Sequence, residues 1–191
     1  TGFPKGIVLS HKNLFDGARI VSNYTKLNSN DVISGVLAFD FDAGLNQLYC
    51  SLYNGATLAL HRYFLPNNFF KYLVDCKVTV LALMPIFLHR MFDKNMISNI
   101  DVFSLCSVKT ITSTGGRVTP KMISDIEKYF KNSDFYLMYG LTEAFRSSYL
   151  HPSQIKERPE SIGKAIPEVE LYIINENGYE CEPDEVGELI H

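Results

Sequence analysis

Short apolar runs alternate with longer segments of helical periodicity along the first two-thirds of the chain, and nothing else restricts its fold as strongly. Val32-Ile-Ser-Gly-Val-Leu37, Ala56-Thr-Leu-Ala-Leu60, Val78-Thr-Val-Leu-Ala-Leu83, Val108-Lys-Thr-Ile-Thr112 and Phe135-Tyr-Leu-Met138 read as strands. Runs of this length and aliphatic content suit strands covered on both faces. Between them, residues 13–21, 45–53, 67–76, 85–92 and 119–130 carry apolar side chains at helical spacing. Ser10 offers an N-cap for the first helix, Pro85 sits where a helix start tolerates proline, and Asn54-Gly55 supplies a turn. Gly6-Ile-Val-Leu9 reads as one more strand ahead of the first helix. Such alternation predicts an α/β fold, a mainly parallel sheet with flanking helices.

The texture changes after Tyr149. Residues 153–161 are polar and contain proline, after which Val169-Glu-Leu-Tyr-Ile-Ile174 and Val186-Gly-Glu-Leu-Ile190 alternate as partly exposed strands. Asn175 to Gly178 suits a tight turn between strands. We therefore expect an α/β unit over residues 1–155 and a small C-terminal β appendage from 156 to 191. With 46% hydrophobic residues in 191, the chain can bury one good core.

The net charge of −3 and the scattered basic residues give no footprint for a nucleic acid, and no such partner is expected. No apolar run approaches the about 20 residues of a membrane helix. The cysteines, Cys50, Cys76, Cys106 and Cys181, are widely spaced and form no C-x-x-C pair. That spacing speaks against a zinc site and for buried free thiols in a reduced, cytoplasmic setting.

Three loops can carry chemistry. Thr1-Gly-Phe-Pro-Lys-Gly6 places a cation in a small-residue turn, where backbone N–H groups can cradle phosphate and Lys5 adds a mobile charge. The spacing is not that of a Walker loop, and an ordinary Pro-Lys-Gly turn reads equally from the string. Thr114-Gly-Gly-Arg117 joins a strand to a helix, and its glycines either admit a flat ligand to the backbone or merely satisfy unusual dihedrals. Tyr139-Gly-Leu-Thr-Glu-Ala144 also follows a strand. There Tyr139 can stack on a base, Thr142 can donate to a phosphate and Glu143 can hold Mg²⁺. Read alone, Thr142-Glu143 also suits a helix N-terminus. Both glycine-bearing loops fall at strand C-terminal ends, the edge where open α/β sheets bind ligands, so they are expected to face one crevice.

Taken together and in order, these strings resemble the adenylate-forming superfamily of acyl-CoA synthetases, luciferases and peptide-synthetase adenylation domains. Thr1 to Gly6 resembles the second half of its T-S-G-T-T-G-x-P-K-G loop, and Ser10-His-Lys-Asn13 its S-H-x-N. Thr114-Gly-Gly116 is similar to its adenine-side loop, and Tyr139-Gly-Leu-Thr-Glu143 to its Y-G-x-T-E. Gly163-Lys-Ala-Ile-Pro167 and Gly187-Glu-Leu-Ile190 resemble its G-x-x-x-P and G-E-L-x-I elements. Met138 to Ser147 and Arg158 to Pro167 look closest to AMP-forming acyl-CoA ligases of exosortase and exopolysaccharide loci.

The resemblance implies part of the N-terminal domain of an enzyme that activates a carboxylic acid with ATP and Mg²⁺. An acyl-adenylate and pyrophosphate result, and the acyl group then passes to a thiol, coenzyme A or a carrier-protein phosphopantetheine. It implies Thr1, Gly2 and Lys5 at the β- and γ-phosphates, and Gly115, Gly116, Arg117, Tyr139 and Gly140 around the nucleotide. It further implies Thr142 at the α-phosphate, Glu143 on Mg²⁺, and Ala144 beside the acid. Lys5, Thr142 and Glu143 are the catalytic set. Phe39-Asp-Phe-Asp-Ala-Gly-Leu45 resembles the family's F-D-x-S, whose aspartate meets the ammonium of amino-acid substrates, with Gly44 in place of serine. Asp42 is then either that substrate contact or a cap of the following helix. The remaining family elements, half the phosphate loop and the mobile C-terminal domain with its lysine, fall outside residues 1–191. The chain alone is therefore expected to lack adenylation activity.

Overall fold

The computed structural model describes residue 3 and residues 6–61, 66–92, 105 and 107–191. The expectations for Thr1, Gly2 and Lys5 lie outside the described residues. Helix α1 (His11–Thr25) opens on a reciprocal cap. The Ser10 hydroxyl accepts from the Asn13 N–H at 3.0 Å, and Asn13 Oδ1 accepts from the Ser10 N–H at 3.2 Å. Strand β1 (Val32–Gly35) leads to α2 (Asp42–Asn54), which ends on a left-handed Gly55, and then to β2 (Thr57–Leu60). α3 (Pro66–Asp75), β3 (Val80–Leu83), α4 (Pro85–Met91), β4 (Thr110–Ser113), α5 (Pro120–Tyr129) and β5 (Asp134–Tyr139) continue the alternation.

These strands form a sheet in the order β2-β1-β3-β4-β5, all parallel. Two short strands, β6 (Ser148–Leu150) and β7 (Lys164–Ala165), extend it antiparallel. A separate antiparallel pair, β8 (Tyr172–Ile174) and β9 (Glu188–Ile190), forms the appendage. Asn175 to Tyr179 turns after β8, with the Asn175 N–H donating to Tyr179 O at 2.8 Å and Gly178 at φ 82°. It returns, however, to an isolated bridge between Ile174 and Glu180, and β9 follows only at Glu188.

Each sheet face has its own apolar cluster. Phe135, Leu137, Leu81 and Leu150 pack beneath α3, α4 and α5, while Tyr136, Met138, Val80 and Tyr149 face α1 and α2. Successive residues of β5 thus serve opposite clusters, the period-2 consequence of a sheet buried on both sides.

Asp31, Thr79 and Lys109, which immediately precede β1, β3 and β4, meet at the N-terminal edge of the sheet. The Asp31 carboxylate is 1% exposed and accepts from Lys109 Nζ at 2.8 Å, Thr79 Oγ1 at 2.7 Å and the Asn28 N–H at 2.9 Å.

Several expectations are corrected. Residues 6–9 pair with no described strand, and Val8 is 96% exposed, because an extended run becomes a strand only where a neighbour meets its backbone. β6 and β7 were not anticipated, being too short to show a period. Of the cysteines, Cys50 is buried as expected, but Cys76 is exposed beyond the end of α3 and Cys181 is half-buried, while Cys106 lies outside the described residues. Among the described residues no helix is long and apolar enough to cross a membrane.

The thiols should separate in reactivity. Burial pushes Cys50 up to about 11, so less thiolate is present at pH 8 and reagent reaches it only on opening. Iodoacetamide is expected to label Cys76 at least ~10-fold faster than Cys50, as read by peptide mass spectrometry; equal rates would contradict the burial.

Candidate nucleotide site

Two turns at strand C-terminal ends build a crevice. After β4, residues 113–118 run past Met84 and Pro85 at the start of α4, with Gly115 at φ +80°. That dihedral favours glycine, and a Cβ there would also come 3.2 Å from Met84 Cε. After β5, Tyr139 and Gly140 form the opposite wall, and Pro159 to Ile162 close one side. The cavity measures about 390 Å³, within the range of small-molecule sites. Gly115, Gly116, Arg117, Tyr139 and Gly140 all line it, so the expectation of one crevice between the two glycine-bearing turns is met. Arg117 stands at its mouth in an exposed ion pair with Glu160.

Residues 141–144 are not the start of a helix. They form a turn in which the Ala144 N–H donates to Leu141 O at 3.1 Å, followed by Phe145 in the left-handed region at φ 62°. The helix-start reading of Thr142-Glu143 is therefore overturned: the chain must reverse here to enter antiparallel β6, and the Ser147 N–H donates to Tyr139 O at 2.9 Å at the base of the reversal. Thr142 is half-buried. Glu143 is exposed and makes no ion pair among the described residues.

Glu143 and Ala144 line a second cavity of about 430 Å³, bounded by α1, Phe145, Arg146 and Glu168. The motif thus straddles two spaces, with Tyr139 and Gly140 on the crevice and Glu143 and Ala144 beyond it. A single exposed carboxylate suits a nucleotide-borne Mg²⁺, which keeps most of its shell as water and phosphate oxygen. Among the described residues no group of three potential metal ligands occurs.

Asp42 is neither free nor a cap. The residue capping α2 is Phe41, which supplies no side-chain bond, and the Asp42 carboxylate instead pairs with the guanidinium of Arg146. The departure at Gly44 has a steric reason, since a Cβ there would lie 2.0 Å from Ala38 O. Arg146, Phe145 and Glu160 escaped the reading of the sequence. The one signal was an arginine in the otherwise small and apolar string Ala144-Phe-Arg-Ser147.

The fold and crevice define an open α/β unit in which two parallel strands end in glycine-bearing turns that wall one cavity, the sheet edge at which such folds bind ligands. The chain belongs to the AMP-binding enzyme family, whose model matches residues 1–191. It is 28% identical over 193 residues to indoleacetate–CoA ligase of Aromatoleum aromaticum, covering 100% of this chain and 37% of that protein. It is 24% identical over 194 residues to gramicidin S synthase 1 of Brevibacillus brevis, covering 99% of this chain and 17% of that one. The chain therefore spans well under half the length of these relatives. Two solved structures share the fold. VinN superposes with a TM-score of 0.88 at 23% identity, over 99% of this chain and 46% of its own. The o-succinylbenzoate CoA synthetase of Bacillus subtilis, in complex with ATP and a magnesium ion, gives 0.85 at 24% identity, over 99% and 38%.

Proposed function

We propose that this chain forms the nucleotide-binding part of an AMP-forming acid–thiol ligase. The observation that carries the proposal is the pair of glycine-bearing turns walling one crevice at the C-terminal sheet edge, with the Thr142-Glu143 turn leading out of it. In this reading Gly115, Gly116 and Tyr139 frame adenine, Arg117 and Gly140 complete the walls, and Thr142 donates to the α-phosphate. Thr1, Gly2 and Lys5 meet the β- and γ-phosphates, and Ala144 borders the acid. Glu143 holds Mg²⁺, which when bound neutralises phosphate charge. A carboxylate oxygen of the acid forms a bond to the α-phosphorus as the bond to pyrophosphate breaks. Coenzyme A or a carrier-bound thiol then takes the acyl group and AMP departs. The chain's share of this chemistry is positioning and charge stabilisation. The nucleotide-binding subdomain expected over residues 1–155 extends in this reading through β7, whose residues still pair in the main sheet, and the small β subdomain expected from 156 begins after it with β8 and β9.

Activation of an amino acid is the second reading, supported by the likeness to gramicidin S synthase 1. The Asp42–Arg146 pair favours the first, because a carboxylate already neutralised by an arginine is a poor partner for an ammonium. With full-length protein, ATP–pyrophosphate exchange over a panel of fatty, aryl and amino acids should favour a non-amino acid by at least ~10-fold. Exchange driven only by amino acids would overturn the assignment.

A further inference from the structure

We propose that Arg146 and Asp42 act as a positioning clasp that aims the Thr142-Glu143 turn at the nucleotide. The inference rests on the Mg·ATP reading above. Within residues 140–147 the turn is held by local backbone bonds, and neither Thr142 nor Glu143 is tied to the body of the fold by a side-chain bond among the described residues. The returning limb is fastened instead, by two consecutive side chains on two different helices. The buried Phe145 ring sits directly over Gly17 of α1, where a Cβ would lie 2.3 Å from Phe145 Cδ1. Next to it, the Arg146 guanidinium is 3% exposed and donates to the Asp42 carboxylate in the first turn of α2 and, at 2.7 Å, to Phe145 O.

Stability alone is a weak reason for this arrangement. A buried ion pair seldom outperforms apolar packing of the same volume, and the buried Arg146 Nε has no partner among the described residues. What charge adds is direction. The guanidinium bridges the start of α2 and the carbonyl of the left-handed Phe145, and so fixes the backbone two residues from Glu143. Partners bonded directly to a metal ligand are worth about 10–100-fold in affinity, and a clasp acting through the backbone two residues away is expected at or below the lower end of that range.

The test is calorimetric binding of Mg·ATP, and of ATP in EDTA, to the full-length protein and two variants. Asp42→Asn strands the arginine charge and is expected to raise the Kd for Mg·ATP about 10-fold, while the Kd for ATP in EDTA moves less than about threefold. Asp42→Glu keeps the charge pair and the fold but lengthens the arm, and is expected to raise the Mg·ATP Kd about fivefold with the melting temperature preserved. If Asp42→Asn does not fold, Asp42→Glu carries the decision. A pair with only a structural role lowers the melting temperature and leaves the Mg-dependent difference in Kd as in wild type. That result, or equal weakening with and without Mg²⁺, overturns the clasp while a wild type that binds Mg·ATP upholds the functional reading. A wild type that fails to bind Mg·ATP overturns both.

Discussion

Glu143→Gln in the full-length protein is expected to lower ATP–pyrophosphate exchange by about 10²-fold or more, the scale of removing one stabilising contact to developing charge. The side chain is exposed in a turn and makes no ion pair among the described residues, so its replacement should change folding stability by less than about 0.5 kcal/mol. A rate loss with an unchanged circular dichroism melt would therefore report chemistry. Gln keeps the length and one oxygen but removes the charge that a hard cation prefers. Glu143→Asp, which keeps the charge on a shorter arm, should retain more activity than Gln. Exchange by Glu143→Gln within about threefold of wild type would remove Glu143 from the catalytic set.

How much of this site was legible follows from the range of each interaction. The β3 run and the Phe135–Met138 run of β5 could be read because a strand buried on both faces is largely apolar, and the crevice could be placed because glycine-bearing turns follow β4 and β5. The start of α1 was equally local, since Ser10 and Asn13 cap each other within three residues. The capping alternative for Asp42 failed for the opposite reason. Its partner, Arg146, is 104 residues away, and no local pattern distinguishes a helix-capping aspartate from one paired across the fold. Residues 6–9 have strand composition but no described neighbour, whereas β6 and β7 pair despite lengths of 3 and 2 residues. Pairing, not propensity, decided all three. Gly163 is legible only in hindsight: at φ +83° its missing Cβ would lie 2.0 Å from Tyr149 O, so the G-x-x-x-P element is a place where backbone must approach β6.

Asp31→Ala is expected to destabilise the protein by about 2–3 kcal/mol, read as a lower urea midpoint at pH 7. The carboxylate is 1% exposed and joins the entries to β1, β3 and β4, three parallel strands that lie 30 to 78 residues apart in the chain but adjacent in the sheet. Its loss leaves the Asn28 N–H without its acceptor and Lys109 without its counter-charge. Lys109 is 45% exposed, so water recovers much of the second loss and the estimate stays at the lower end of values for buried pairs. Burial pushes the Asp31 carboxyl up, but the bonds from Lys109, Thr79 and the Asn28 backbone outweigh it and hold it below its ordinary value. A group whose folded value is depressed contributes stability that is fully present above its unfolded value, about 3.9, and is lost as pH falls through the folded one. The gap between wild type and Asp31→Ala should accordingly be constant from pH 7 to about 5 and shrink below about 4. The contact lies at the N-terminal edge of the sheet, opposite the crevice, so the Kd for Mg·ATP of the folded variant should match wild type. A gap that widened on acidification would show that the carboxylate is not held ionised by these three donors.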